Sequence, residues 1–186
     1  MKIGIFRGHN TPYNTGAKGI RKEDDMINEV MLKVKDKLKI LGHEVIDCTP
    51  TNVDYKNIRC TTDSLRIRCE RANAANVDIV VSMHFNAFNG SAHGCEVFYV
   101  SNNGKKIAEP IQSELVKLGF YDRGVKLHKE LYVLNHTNAP AILIEGCFCD
   151  SEKDMSLFHA EKMANAIVKG ITGKDVNQEE NKMDIE

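Results

Sequence analysis

Short unbroken apolar runs alternate along this chain with longer stretches in which apolar residues recur every three or four positions. Runs of four to eight apolar residues suit strands covered on both faces, and the three-to-four spacing suits helices with one buried stripe. Lys2 to Gly8 predicts a buried strand, followed by a loop from His9 through Asn14. Glu23 and Asp24 open a segment in which Met26, Ile27, Val30, Met31, Val34, Leu38 and Leu41 share a helical face, and Gly42 ends it. Glu44 to Cys48 predicts a second strand, and about Asp63 to Asn76 a second helix capped by Thr62 or Asp63. Asp78 to Met83 is the clearest buried strand and delivers His84 at its end. Gly94 to Val100 predicts another strand, Asn102-Asn103-Gly104 the start of a helix reaching Leu118, and Leu131 to Leu134 a further short strand. Ala141 to Ile144 is an apolar strand that runs straight into Glu145, with a break predicted at Gly146. Asp150 or Ser151 caps a last amphipathic helix carrying Met155, Phe158, Met163, Ala166, Ile167 and Val168, and the fold is expected to end near Thr172.

Strands alternating with helices predict an α/β fold, a single twisted, mostly parallel sheet with helices on both faces. The 186 residues, 42% hydrophobic and 27% charged, suit one domain over residues 1–173. Residues 174–186 are polar with little to bury and read as a tail or linker. A net charge of -1, from 25 basic and 26 acidic residues spread along the chain, predicts no nucleic-acid partner. The opening apolar run is too short for a signal-peptide core, and no run reaches spanning length. The expectation is therefore synthesis in the cytoplasm without a signal peptide, no membrane insertion, and a monomer. Six cysteines without a Cys-x-x-Cys pair predict reduced, mostly buried thiols.

In open α/β sheets ligands bind outside the carboxyl ends of the strands, and His9, His84 and Glu145 are all read as leaving strands at that edge. Two neutral imidazoles and one carboxylate are the three protein ligands of a catalytic zinc, and Glu23 after the His9 loop is placed to be the carboxylate. Glu145, leaving an apolar strand, needs a raised pKa or a cation beside it, as a general acid/base residue does. Zinc-activated water with Glu145 moving its proton makes metal-assisted hydrolysis the predicted chemistry. Each residue also has a bland reading: a lone strand-end histidine is more often structural, and acids in a first helical turn are ordinary dipole partners. Two histidines and two carboxylates at one edge shift that balance. No His-Glu-x-x-His occurs, and the glycines at 16 and 19 lack the phosphate-loop pattern. Asn86 and His93 are read as solvated loop residues within reach of substrate; His43, His128, His136 and His159 are read as structural or surface.

Gly8-His9, Thr15-Gly16-Ala17-Lys18-Gly19 with Glu23, Leu65-x-x-Arg68-x-x-x-Ala72-Asn73, Ser82-Met83-His84-Phe85-Asn86-Ala87, Gly94-Cys95-Glu96-Val97, Arg123-Gly124-Val125-Lys126, Leu131-Tyr132-Val133-Leu134 and Pro140 to Phe148 follow one another in order. This succession resembles the motifs of the zinc-dependent N-acetylmuramoyl-L-alanine amidases from Met1 to about Thr172. The resemblance implies zinc ligands at His9, Glu23 and His84 and a catalytic glutamate at Glu145. It also implies hydrolysis of the amide between the lactyl group of N-acetylmuramic acid and L-Ala in bacterial peptidoglycan. Cys147 and Cys149 depart from the small or polar residues expected around Phe148 and put thiols near the site. The family contains bacterial autolysins and phage endolysins. This chain is more like the endolysin type and is expected to be a catalytic domain cut from a longer protein whose wall-binding domain follows the linker. The rivals are a zinc peptidase cutting the stem peptide and a non-catalytic wall-binding module; four intact site residues speak against the second.

Overall fold

A computed structural model of the chain describes residues 1–176. Its six strands are β1 (Lys2–Arg7), β2 (Glu44–Asp47), β3 (Ile79–Asn86), β4 (Cys95–Tyr99), β5 (Asp122–Leu127) and β6 (Ala141–Phe148). They form one sheet in the order β2-β1-β3-β6-β4-β5. Every pairing is parallel except β4 with β6, so the sheet is mostly parallel with one reversal. The helices are α1 (Glu23–Ile40), α2 (Thr61–Ala74), α3 (Asn102–Val116), α4 (Tyr132–Asn135), α5 (Glu152–Leu157) and α6 (Ala160–Thr172).

Strand alternation divides the core in two. Ile3, Ile5, Val81, Met83, Phe85, Ile142 and Ile144 point to one face and are covered by α1, α3 and α6. Phe6, Val80, Ala141 and Leu143 point to the other, against Cys69 and Ala72 of α2 and Val133 and Leu134 of α4. Helix α1 forms where the periodicity requires it: Met26, Ile27, Val30, Met31, Val34 and Leu38 are all fully buried. Its end is closed by Gly42 at φ 78°, with His43 N donating to Leu38 O at 3.0 Å.

Several elements differ from the sequence expectation. Leu131 to Leu134 is not a strand. Tyr132–Asn135 makes one helical turn, held where Asn135 Nδ2 donates to the carbonyls of Lys129 at 2.7 Å and Leu131 at 2.9 Å. The sixth strand is instead β5, an edge strand whose four middle residues are all half-buried between exposed ends and show no alternation. Gly146 does not break β6, which continues to Phe148; a Cβ there would lie 2.7 Å from Met83 Cε and 2.9 Å from Phe85 Cε1. His84 likewise lies inside β3, next to a register irregularity between His84 and Asn86. The last amphipathic segment is two helices. Phe158 is extended between α5 and α6, its ring edge-on to Phe85 at 5.7 Å with the Arg21 guanidinium 5.0 Å away. Helix α2 starts two residues before Asp63. Packing continues past Thr172, because Val176 is buried in the core; the remainder of the expected tail, 177–186, lies outside the described residues. No helix among the described residues is long and apolar enough to cross a membrane.

Candidate metal centre and active site

The carboxyl ends of β1, β3 and β6 lie side by side. Pairing of β1 with β3 continues one step past the strand, where Gly8 N donates to Met83 O at 3.0 Å, and the chain then turns sharply. His9 and Asn10 adopt φ of 50° and 58°, the left-handed region that costs a histidine about 1 kcal/mol or more. Buried Arg68 of α2 holds this turn, its guanidinium donating to the carbonyls of Arg7 and His9. Burial, with the Arg7 charge, brings its pKa down to about 10, so it stays cationic at neutral pH. Asp24 fastens the other side, accepting from Asn10 N at 3.3 Å and Gly16 N at 3.1 Å. Gly8 has to be glycine, since a Cβ there would sit 2.5 Å from the His84 ring and from Met83 O.

This loop aims His9 Nε2 at two other groups. Glu23 Oε1 is 3.1 Å from His9 Nε2 and 3.3 Å from His84 Nδ1, and the two ring nitrogens are 3.1 Å apart. The three sequence-predicted ligands thus form a nearly equilateral triangle, the one group of three among the described residues with metal-ligand geometry. Donors on a four-coordinate ion with bonds of about 2.0–2.1 Å lie about 3.3–3.4 Å apart, so the triangle is the size of one tetrahedral face. The donor chemistry fits as well. Asn14 turns its amide NH2 to Ser64 Oγ at 3.1 Å, so its Oδ1 accepts from His9 Nδ1 at 2.8 Å. Nδ1 therefore carries the proton, and Nε2 turns a lone pair inward. Glu23 is oriented by the amides of Ala17 (2.8 Å) on Oε2 and Phe85 (3.0 Å) on Oε1.

Lone pairs converging on one point require a proton or a metal ion between them. Without metal, the proton takes that place. Burial works against the His9 cation, yet the hydrogen bond and charge of Glu23 outweigh it and leave the pKa raised. Burial alone would push Glu23 up, and the two imidazoles instead pull it far below the carboxylate range. Burial lowers His84, with the His9 charge adding to it and Glu23 opposing.

Glu145 stands on the next strand, directly opposite His84 in the β3–β6 register and so on the same face. The residue keeps a little exposed surface, but Oε2 is buried without a hydrogen-bond partner. Burial, then the charges of Glu23 and Glu96, push its pKa well above the carboxylate range. It is thus a carboxyl beside the donor triangle with an oxygen free to move a proton.

Asn86 belongs to β3 rather than a loop and donates to Glu96 Oε1 at 3.1 Å; His93 sits near Lys153 and Tyr121 on the loop beyond. The neighbouring thiols are buried. Burial pushes Cys149 up to about 11 and Cys147 well above the ordinary thiol value, so neither is a nucleophile at neutral pH. Roles for Asn14, Arg68, Glu96 and Asp154 were not legible from sequence. Asp154 Oδ2 accepts from Gly94 N and Phe148 N, both at 2.8 Å, tying the ends of β4 and β6 together. Its one sequence signal is an acid in a first helical turn, which thousands of solvated residues share.

Sheet and cluster together define an α/β protein with a metal-competent centre at the carboxyl edge of its strands. The sequence profile of the N-acetylmuramoyl-L-alanine amidases matches residues 3–173, and the chain belongs to that family. It is 30% identical over 178 residues to the endolysin of Bacillus phage SPP1, covering 90% of this chain and 62% of that protein. To an uncharacterized protein of Clostridium perfringens (strain 13 / Type A) it is 33% identical over 188 residues, 96% of this chain and 53% of the relative. Among solved structures, the catalytic domain of the CD27L endolysin targeting Clostridia Difficile superposes with a TM-score of 0.84 at 33% identity, over 94% of this chain and 98% of that one. The chain spans about half the length of the curated Clostridium perfringens relatives it matches.

Proposed function

We propose that the protein is a zinc-dependent peptidoglycan amidase, cleaving the amide between the lactyl group of N-acetylmuramic acid and the first L-Ala of the stem. The observation that carries this reading is the 3.1–3.3 Å donor triangle with the partnerless carboxyl oxygen of Glu145 on the adjoining strand, in a chain of the amidase family. His9, Glu23 and His84 hold the ion. When bound, zinc supplies Lewis-acid polarisation of the scissile carbonyl and lowers the pKa of water to about 7. Glu145 takes the proton from the attacking water as its oxygen bonds to the carbonyl carbon. The same carboxyl then returns the proton to the nitrogen as the C–N bond breaks, leaving a lactyl carboxyl group and the free amine of L-Ala. Asn14 fixes the His9 tautomer throughout, and Arg68 holds the loop that presents the ring. The wider expectation is a lysin-type catalytic domain acting as a monomer on the bacterial wall.

Metal analysis and product analysis test this together. Wild type is expected to carry near-stoichiometric zinc, to lose lysis on chelation and to regain it with zinc. His84→Ala should lose both metal and lysis. Glu145→Gln should keep the metal and lose turnover by about a hundredfold or more, the size of one general acid/base contribution. New amines on L-Ala with intact stem peptides identify the amidase bond; cleavage inside the stem would replace this reading with the peptidase. Lysis that survives complete metal removal would overturn the ligand assignment.

A further inference from the structure

A row of polar side chains leads across the sheet away from the donor triangle. His84 on β3 lies opposite Glu145 on β6, and Glu145 lies opposite Glu96 on β4, so the three share one face. Glu96 is buried and accepts from Asn86 Nδ2 at 3.1 Å, from Arg123 Nε at 3.1 Å and from Lys126 Nζ. Beside it opens a groove walled by Asn86, Phe88, Arg123 and Phe148, with the Arg123 guanidinium 5.0 Å from the Phe148 ring centre and Phe88 78% exposed. One buried carboxylate faces two cations whose side chains stay 31% and 43% exposed, so this ion cluster holds one more cation than it has carboxylates and presents both cations to solvent. The hydrogen bonds of the two nearby acids go elsewhere: Asp122 Oδ1 accepts from Gln112 and the Gly124 amide, and Asp150 Oδ2 from the amides of Phe88 and Gly90.

We propose that Arg123 and Lys126 form a subsite for a carboxylate of the stem peptide, which therefore lies along β6 to β4 while the glycan lies on the opposite side of the metal centre. The inference rests on the amidase reading above. On the glycan side of the scissile bond the lactyl carboxyl is consumed in the amide, whereas a peptide ends in a carboxylate. From His84 to Glu96 is two strand spacings, about 10 Å, which about three extended residues span.

The test compares a muramyl tripeptide whose stem carboxylates are free with the same compound in which each is a carboxamide, using zinc-loaded protein. Amidation should lower kcat/KM about tenfold or more, mainly through KM, the size of one charge-assisted hydrogen bond. In Arg123→Gln the ratio should fall towards one with zinc content unchanged. Lys126→Gln is the second variant, and each leaves Glu96 with one cation. Equal rates of wild type on both compounds, or full discrimination retained in both variants, would overturn the subsite while leaving the amidase standing. If neither compound releases free L-Ala amine, it is the amidase reading that fails. Calorimetric binding of the free tripeptide and its amide to wild type and Arg123→Gln then decides the subsite by itself.

Discussion

A carboxyl group whose surroundings raise its pKa weakens the fold it sits in wherever the unfolded chain would ionise it. Burial raises the folded pKa of Glu145, with Glu23 and Glu96 adding to it, while the unfolded chain ionises in the ordinary carboxylate range. Between those two values the unfolded state binds fewer protons, so stability falls as pH rises through the window. Glu145→Gln should therefore raise the Tm of the metal-free protein at neutral pH, by about 2–4 °C for each kcal/mol relieved. That gain should vanish as the pH falls to the carboxylate range, and a Tm unchanged at neutral pH would show that the carboxyl is not confined as described. His9 gives a prediction of opposite form. Its folded pKa is raised, with the Glu23 contact overcoming burial, and a metal can bind only the neutral ring. Zinc affinity should climb with pH through that raised value, and zinc uptake should expel a proton. Calorimetry in two buffers of different ionisation enthalpy measures the proton count; zero protons released below the raised pKa would contradict the arrangement.

Elements carry these residues to one point, and Gly8 against the His84 ring is a close fit among them. Gly8→Ala should cost about 1–3 kcal/mol from overpacking and displace the ring from the triangle. Denaturant unfolding and a zinc titration should both register the change; normal zinc affinity would mean the ring has room to yield. The site was legible in the sequence because His9, His84 and Glu145 each interrupt or end an apolar run, and apolar runs in an alternating βα pattern share a sheet edge. Arg68 was not, because a cation on a weakly periodic helix looks solvated until the carbonyls of Arg7 and His9 are seen to point at it. Strand β5 escaped since an edge strand with half-buried side chains has no period to read. Leu131 to Leu134 misled in the opposite sense. Four apolar residues fit a strand as well as one helical turn, and Asn135 decides by donating back to two carbonyls. Gly146 was read as a chain breaker, yet it is required by the close approach of Met83 and Phe85.

At the scale of the molecule the domain boundary is measurable. Val176 is buried against the core, so packing extends at least as far as that residue. Truncation after Gly173 should cost about 1.5–3 kcal/mol relative to truncation after Val176, the worth of one buried aliphatic side chain. Equal unfolding midpoints would mean that residues 174–176 add nothing to the packed unit. The strand order has a consequence for how the molecule comes into being. A ribosome releases β1, β2 and β3 first and β4 and β5 next, and these two groups share no hydrogen bond within the sheet. β6, synthesised last of all the strands, enters between β3 and β4 and joins them. The emerging chain can thus gather His9, Glu23 and His84 long before Glu145 leaves the ribosome. Completion of the sheet and arrival of Glu145 beside His84 are therefore one event in the order of synthesis.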